Sequence, residues 1–435
     1  MEHILLRKGL FYTILSIMSF IVLLTNDFRL ILVLYIIVLI FCLFLVRCIL
    51  HHPFVWFLPF YFLFTCSEAF LMWLEVVPYN INITLALKGG WIGMFVFLII
   101  INPKIENYTN ISNRQNNNFI FKVIWYISLI LSFVSLISIT SSGVSNKREI
   151  NMQSEQILNS SLSFSLLLLS FAVIVAMNLL NKKDFPYKFV IFNIVFIFFA
   201  FLVNGERDLF MRIILITMML FTILYIRIKP VYIIFFGTIM MVMIPLMHNL
   251  KNFWLTKTTN ETLSGNIIVD ILSGFKSASE NLLIVIESNL PYKNGETLIW
   301  DILRFFSKNH YSTTEWFNRM FFPNTVATGG GKGFSLLGEG YLNFGIAGMA
   351  IWMVILALFI KFLYVYSNKN FITLLLYILS MPAFIYALRA DFSNMLSGTI
   401  KQALVPLILF YVFYWILTQL LKKDISSKKI TLYDR

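Results

Sequence analysis

The chain has 435 residues, of which 59% are hydrophobic and only 13% are charged, and its mean hydropathy is +0.81. Soluble domains carry about 25% charged residues, and a soluble fold of this length could not bury so much apolar surface. The composition therefore excludes a soluble protein. It predicts an all-α polytopic membrane protein, because helices satisfy their own backbone hydrogen bonds in lipid.

About 12 segments are long and apolar enough to cross a bilayer core, which requires about 20 residues in a helix. In chain order, we predict transmembrane helices at 9–24, 30–50, 53–74, 83–101, 121–140, 162–180, 187–203, 209–226, 230–247, 341–366, 371–388 and 400–421. The first nine occupy 1–247, and the last three occupy 336–435 together with a tail. We expect all of them to form one membrane domain.

A large loop, residues 248–335, interrupts this series of apolar segments. Within it, apolar residues recur at helical spacing at 267–275 and at 298–306. This spacing predicts short amphipathic helices that lie on the membrane surface or on the helix bundle.

The distribution of positive charge predicts how the chain is oriented in the membrane. With the N terminus inside and the spans alternating, 18 Lys and Arg residues fall on the inner side and eight on the short outer segments. Charges in long loops count little, so we predict cytoplasmic termini and a periplasmic loop at 248–335. The net charge of +13 then lies on the inner face and does not indicate a nucleic-acid partner.

The three cysteines, Cys42, Cys48 and Cys66, lie in the second and third predicted helices and form no CxxC pair. We interpret them as buried thiols, with neither a disulfide framework nor a metal site.

A short polar turn, Asn204–Asp208, joins two long apolar segments at the predicted outer surface. Asp208 and Arg212 are spaced i, i+4 and can pair on one helix face. Arg207 is then left to bind an anion, and ionisable residues at membrane depth are functional candidates. The alternative is a tight turn whose charges merely extend to water.

A second polar pair, Arg389 and Asp391, follows the eleventh predicted helix on the same outer face, with Lys401 further along the chain. Two arginines at separate helix ends could clamp a diphosphate, because the planar guanidinium donates bidentate hydrogen bonds. The alternative is again that both side chains simply extend to water at the membrane surface and bind no ligand.

The large loop ends in the glycine run Gly329–Gly333, which contains Lys332 and leads into the tenth predicted helix. The P-loop pattern is absent, but backbone N–H groups and Lys332 could still approach a phosphate. Glu339 follows at membrane depth and could act as a general base, or it could simply satisfy the helix dipole. We expect a solvated face to contain most of the following loop residues: Lys293, Asp301, Arg304, Lys308, His310, Glu315, Trp316 and Arg319. His310 stands apart as an incidental residue or a further candidate base.

The stretch from Gly333 to Gly348 resembles the signature of the Wzy-type O-antigen and capsule polymerases, bacterial enzymes that join oligosaccharide repeat units. In that family a glycine-rich loop precedes a Ser-x-x-Gly-Glu-x-Tyr-x-Asn-Phe-Gly-x-x-Gly pattern. The chain matches it at Ser335, Gly338, Glu339, Tyr341, Asn343, Phe344, Gly345 and Gly348. The turns Gly205-x-Arg207 and Arg389-x-Asp391 also resemble the family's membrane-edge arginines, although Glu206 departs from the pattern.

The resemblance implies a GT-C-like glycosyltransferase that acts at the periplasmic face of the bacterial inner membrane. The substrate would be an oligosaccharide on undecaprenyl diphosphate, joined into O-antigen or capsular polysaccharide. The implied binding residues are Arg207, Arg389, Lys332, Arg319, Tyr341 and Asn343, and the implied catalytic residues are Glu339, Asp391 and His310. No cofactor or metal is implied. Membrane lipid and a chain-length regulator protein are the expected partners besides the substrate.

Three alternative functions remain at this point. A flippase or other transporter would be favoured by a polar group near the membrane midplane, such as Glu68 in the third predicted helix. An O-antigen ligase shares the layout and is expected to use a catalytic loop histidine, for which His310 is the candidate. A membrane sensor would carry out no chemistry.

Overall fold

The computed structural model describes residues 2–106, 118–143, 153–181, 187–204, 207–224, 237, 266–306, 310–327 and 330–433. All regular elements in these ranges are helices. They are α1 (Glu2–Leu24), α2 (Phe28–Leu45), α3 (Pro53–Trp56), α4 (Leu58–Trp73), α5 (Ile83–Ile101), α6 (Asn118–Ser141), α7 (Ser154–Asn181), α8 (Tyr187–Asn204), α9 (Arg207–Leu224), α10 (Ile267–Phe275), α11 (Ser277–Glu287), α12 (Glu296–Phe306), α13 (Thr313–Phe321), α14 (Pro323–Ala327), α15 (Leu336–Tyr366), α16 (Phe371–Ala387), α17 (Phe392–Thr399), a π-helical turn (Ile400–Leu404) and α18 (Val405–Tyr433).

The all-helical prediction is confirmed, and helices cover most of each predicted span except the ninth, at 230–247, which lies outside the described residues apart from Gly237. The second span was predicted to end at residue 50, but α2 ends at Leu45. Within the described residues, six spans are long and apolar enough to cross a membrane. They are Phe28–Leu45, Pro53–Trp73, Ile83–Ile101, Phe119–Ser141, Leu336–Tyr366 and Phe392–Leu420. Four shorter apolar helices accompany them. The number of twelve transmembrane spans therefore stays a prediction.

The chain divides into two compact units. The first contains residues Met1–Asn107, Tyr225–Tyr366 and Met381–Ser397, and the second contains Tyr108–Leu224, Ser367–Ser380 and Gly398–Arg435. The first unit holds the glycine run, the signature motif and the Arg389–Asp391 pair.

In the first unit, α5 and α15 pack closely and run in the same direction. A Cβ atom on Gly89 would lie 2.3 Å from the sulfur of Met349, and one on Gly93 would lie 2.9 Å from Met353. Small residues thus let the two helices approach, as is common between membrane helices. The N-terminal ends of α5 and of the long part of α15 therefore lie at the same end of the unit.

Helix α15 is broken after its second turn. Phe344 and Gly345 have non-helical backbone angles, and Gly345 has a φ of 61°, which glycine adopts readily. A Cβ atom on Gly348 would lie only 1.9 Å from the carbonyl oxygen of Gly340, whereas residues eight apart in a straight helix are about 12 Å apart. The first two turns therefore fold back on the rest. The remaining part, 346–366, is long enough for a core of about 30 Å.

The first unit contains the three cysteines and Glu68, which the sequence analysis predicted to lie within membrane helices. The three cysteines are buried, as predicted. Glu68 on α4 is only 7% exposed, and its backbone N–H donates to the hydroxyl of Ser279 on α11 at 3.2 Å. One of its carboxylate oxygens has no hydrogen-bond partner among the described residues.

In the second unit, polar side chains join the apolar helices. The Ser132 hydroxyl lies 3.0 Å from that of Ser163, which links α6 to α7. Arg212 on α9 is 5% exposed, and its guanidinium donates to the Gln402 side chain in the π-helical turn. Buried side-chain hydrogen bonds of this kind contribute to the association of membrane helices.

Candidate active site

The glycine run lies directly against Arg389. A Cβ atom on Gly333 would lie 2.4 Å from the Arg389 carbonyl oxygen and 3.7 Å from its Nε atom, so only glycine fits here. The side chain of Asn318 holds the preceding residue, accepting from the Lys332 N–H at 2.7 Å and donating to the Lys332 carbonyl at 2.8 Å. Asn281 donates to the Gly333 carbonyl. The structure thus brings together Lys332 and Arg389, two of the predicted binding residues.

These cations have no carboxylate partner in the part of the chain that the structure describes. The salt bridges there are Lys104–Glu106, Lys276–Glu280 and Arg304–Glu315. Lys332 instead places its ammonium 4.2 Å from the centre of the Phe322 ring. Arg389 is half-buried against Tyr386, and its Nε atom is buried without a hydrogen-bond acceptor among the described residues. An arginine in this state can accept an anion without first giving up another ionic partner.

We refer to the glycine run with Lys332, together with Arg389, as the cationic loop. Three buried acidic residues lie close together near this loop. Asp301, Glu339 and Asp391 are each 0% exposed. They are joined through short segments, since Phe392 donates its N–H to Glu339 at 2.8 Å and Ser393 donates its N–H to Asp301 at 2.8 Å.

The N terminus of α13 supplies amide donors to two of these acids. The Thr313 N–H donates to Asp301 at 2.9 Å, and the Thr314 N–H donates to Asp391 at 2.7 Å. The first N–H groups of a helix have no partner within it and carry partial positive charge. They therefore stabilise buried carboxylates where no cation is paired with them. Asp391 also caps α17 by accepting from the Asn394 N–H at 2.7 Å.

Asp301 belongs to a group of loop residues most of which we expected on a solvated face, but it is buried. Burial raises the pKa of this carboxyl well above its usual range, the neighbouring Asp391 and Glu339 raise it further, and the hydrogen bonds from the Thr313 and Ser393 N–H groups offset only part of the rise. On α12 the polar pair Thr297 and Asp301 faces the protein, while Phe306 on the other side is 79% exposed. The i, i+4 spacing of this pair was the signal that could have placed them on one buried face.

Asn343 of the signature ties the loop before α12 to α15. Its side-chain amide donates to the Thr297 hydroxyl at 2.6 Å and to the Glu339 carbonyl at 2.8 Å, and it accepts from the Gly295 N–H at 2.8 Å. The Thr297 hydroxyl lies 3.1 Å from the Glu339 carboxylate. Thr297, which sequence reasoning missed, therefore bridges two signature residues.

Three other predicted site residues of the first unit, Tyr341, Arg319 and His310, are not part of this cluster. Tyr341 is half-buried and packs edge-on against Tyr292, with ring centres 6.3 Å apart. Arg319 is exposed, with its guanidinium 4.0 Å from the centre of the Tyr311 ring. His310 is exposed between α12 and α13. Arg207 begins α9, but its side chain, with Gly205 and Glu206, lies outside the description.

Residues 301–424 match the family model described as O-antigen polysaccharide polymerase Wzy. No curated protein and no solved structure matches the chain. The matched segment contains Lys332, Arg389 and the three buried carboxylates. The resemblance that the signature motif predicted is therefore confirmed over residues 301–424, the part of the chain that is similar to the O-antigen polysaccharide polymerase Wzy family.

Proposed function

We propose that this protein is a polymerase that joins lipid-linked oligosaccharide repeat units into O-antigen or capsular polysaccharide. The family match supports an O-antigen polymerase function. The observation that carries the proposal is the pair of cations, Arg389 and Lys332, at the glycine loop within the matched segment. Neither has a carboxylate within salt-bridge distance in the described part of the chain.

This cationic loop suits the diphosphate of an undecaprenyl-linked glycan. In the proposed reaction the acceptor hydroxyl oxygen forms a bond to the anomeric carbon of the growing chain, and the bond from that carbon to the diphosphate oxygen breaks. Negative charge develops on the departing diphosphate, where a guanidinium and backbone N–H groups stabilise it. The large loop faces the periplasm in this proposal, and the helix bundle is of the GT-C type.

In this proposal the carboxylates of Glu339 and Asp391 hold the site together and do not take the proton of the acceptor hydroxyl. Both oxygens of Glu339 and both of Asp391 already accept hydrogen bonds from the protein, and neither residue is exposed. A general base must come within hydrogen-bond distance of the acceptor hydroxyl. Of the three predicted catalytic residues, only His310 is exposed, so we assign it as the candidate proton acceptor. Arg319 is proposed as a further diphosphate ligand, and Tyr341 as a residue that borders the substrate. Arg207, the other diphosphate ligand expected from the sequence, lies in the second unit with its side chain outside the description, and its role stays a prediction.

The proposal is tested with the full-length protein, purified in detergent and supplied with lipid-linked repeat units without ATP or an ion gradient. We expect a ladder of elongated glycans. A transporter or a sensor would produce no ladder. A ligase would use a different acceptor and would leave the lipid-linked units unextended, so the absence of elongation would overturn the proposal.

A further inference from the structure

The first unit contains an open cavity of about 670 Å³ between the α1–α2 loop and the α4–α5 loop. Its wall includes Asp27, Phe28, Arg29, Glu75 and Tyr79. The volume lies within the range of about 300–1,000 Å³ that is typical of small-ligand sites. None of these residues belongs to the cationic loop or to the carboxylate cluster.

The cavity opens at the same end of the unit as the candidate active site. The Thr84 hydroxyl donates to the Asn26 carbonyl at 3.3 Å, which ties the α1–α2 loop to the first turn of α5. Asn80 in the α4–α5 loop donates to Glu287, the last residue of α11. A few residues later, the Lys293 N–H donates to the Leu342 carbonyl at the break in α15. A continuous chain of contacts thus joins the rim of the cavity to the signature motif.

The lining of the cavity differs chemically from the cationic loop. The lining contains two acids, Asp27 and Glu75, and one arginine, Arg29, and the Asp27 carboxylate also caps α2 by accepting from the Arg29 N–H at 2.9 Å. Its net charge is therefore negative, which disfavours a diphosphate or an anionic lipid headgroup. Phe28 and Tyr79 stand with ring centres 5.7 Å apart, and Tyr79 is 62% exposed. Carboxylate oxygens accept hydrogen bonds from hydroxyl groups, and aromatic faces cover the apolar face of a ring. This combination suits a neutral polyhydroxyl ligand.

Glu75 occupies a position at which glycine would fold more easily. It follows the last turn of α4 with a φ of 58°, the left-handed conformation that favours glycine after a helix. The described hydrogen bonds and salt bridges give its carboxylate no partner. A carboxylate held at the cavity without contributing to the fold is available to a ligand.

We propose that this cavity binds the neutral sugar residues of the growing glycan, away from its lipid diphosphate. The inference rests on the proposed function, because it concerns the tail of the same substrate whose anionic end the cationic loop would hold. Holding the tail raises the effective concentration of the chain end at the site, so the cavity would increase the number of couplings for each encounter.

The first test uses the variants Tyr79→Ala and Glu75→Gly in the elongation assay. We expect the mean product length to fall by about threefold because the chain dissociates sooner. The rate of the first coupling between two short units should stay unchanged. Glu155→Gln, which removes an exposed acid of the second unit, is the matched control and should leave both quantities unchanged. Product lengths equal to those of the unmodified protein would overturn the inference.

The second test measures binding directly by calorimetry with the full-length protein in detergent. The probe is surface polysaccharide from the source cells, released from its lipid by mild acid. We expect Tyr79→Ala and Glu75→Gly to weaken binding by about tenfold, the effect of losing one good contact. Equal binding by the variants, or displacement of the glycan by short-chain phosphatidylglycerol, would overturn the inference. If the unmodified protein elongates nothing, the proposed function fails, whereas this binding measurement still decides the role of the cavity.

Discussion

The side chain of Arg389 contains a buried hydrogen-bond donor without an acceptor, and this suggests that a ligand binds there. Its Nε atom is buried without an acceptor among the described residues, and leaving a buried donor unsatisfied costs about 1–3 kcal/mol. A bound diphosphate would supply the missing acceptor and a compensating charge. The cost is therefore removed when the proposed substrate binds.

We expect Arg389→Ala to lower the elongation rate by about 100-fold or more, which is the usual effect of removing a donor to developing negative charge. Arg389→Lys should restore only part of the rate, because an ammonium cannot donate in the bidentate manner of guanidinium. Arg304→Ala is the matched control, since Arg304 is already paired with Glu315 at 2.8 Å. Equal losses in Arg304→Ala and Arg389→Ala would show that the effect is not specific to the loop.

Substitutions of Glu339 distinguish a structural role for its carboxylate from a role as the general base. A glutamine in its place keeps the volume and can still accept from the Phe392 N–H, as the carboxylate does at 2.8 Å. We therefore expect Glu339→Gln to retain activity within about tenfold and Glu339→Ala to lose it. Elongation rates of the two purified variants decide the matter. A Glu339→Gln rate as low as that of Arg389→Ala would show that Glu339 is the general base.

The third prediction concerns Asp301 and pH. Because burial raises the pKa of Asp301 in the folded protein, the folded state holds the proton more tightly than the unfolded chain. The stability gained from protonation is complete below the unfolded-state pKa of about 3.9 and is lost as the pH rises towards the folded-state value. We expect the Tm in detergent to fall between about pH 5 and pH 8, and to fall less in Asp301→Asn. Parallel pH profiles for the two proteins would contradict this assignment.

At the scale of the elements, α12 shows why an amphipathic pattern is ambiguous in a membrane protein. The spacing of its apolar residues correctly predicted a helix, which spans Glu296–Phe306. The apolar side, however, is the exposed one, with Ile299 58% exposed, while Thr297 and Asp301 are 0% exposed. In a soluble protein the same pattern would place the apolar side in the core. In α12 the polar residues instead find their partners inside the protein, where Asp301 accepts from the Thr313 and Ser393 N–H groups.

The break in α15 is an element-scale feature that positions Glu339 and Asn343. Gly348→Ala would force a Cβ atom to within 1.9 Å of the Gly340 carbonyl, and overpacking of this kind costs about 1–3 kcal/mol. We expect a lower Tm together with loss of elongation. Gly9→Ala in α1 is the control, because no atom lies within 4 Å of the added carbon there. An unchanged Tm in Gly348→Ala would show that the fold-back is not required.

At the scale of the whole molecule, the direction of the chain across the membrane is the prediction to test. Glu296 and Lys369 are both exposed, and the distribution of positive charge places them on opposite sides. We expect a membrane-impermeant maleimide to label Glu296→Cys in intact cells and Lys369→Cys only after permeabilisation. The three natural cysteines are buried, so they should contribute little background. Labelling of both positions, or of neither, in intact cells would contradict the predicted orientation.

The sequence by itself determined the helical class, the position of most helices and the resemblance of the signature segment to the polymerase family. These follow from local properties, because the length of an apolar segment and the spacing of a motif are visible without knowledge of distant contacts. Phe371–Ala387, for example, ends one residue from its predicted boundary. The signature motif was likewise legible because its residues lie close together in the chain.

Only the tertiary structure decided which polar groups share one site. Asp301 is held by Thr313, 12 residues away, and by Ser393, 92 residues away, and no local pattern reports such partners. The same holds for Gly333, which must be a glycine because a Cβ atom there would collide with the backbone carbonyl oxygen of Arg389. Whether a charged residue is solvated or buried depends on the donors that folding brings to it, and only the folded chain specifies those donors.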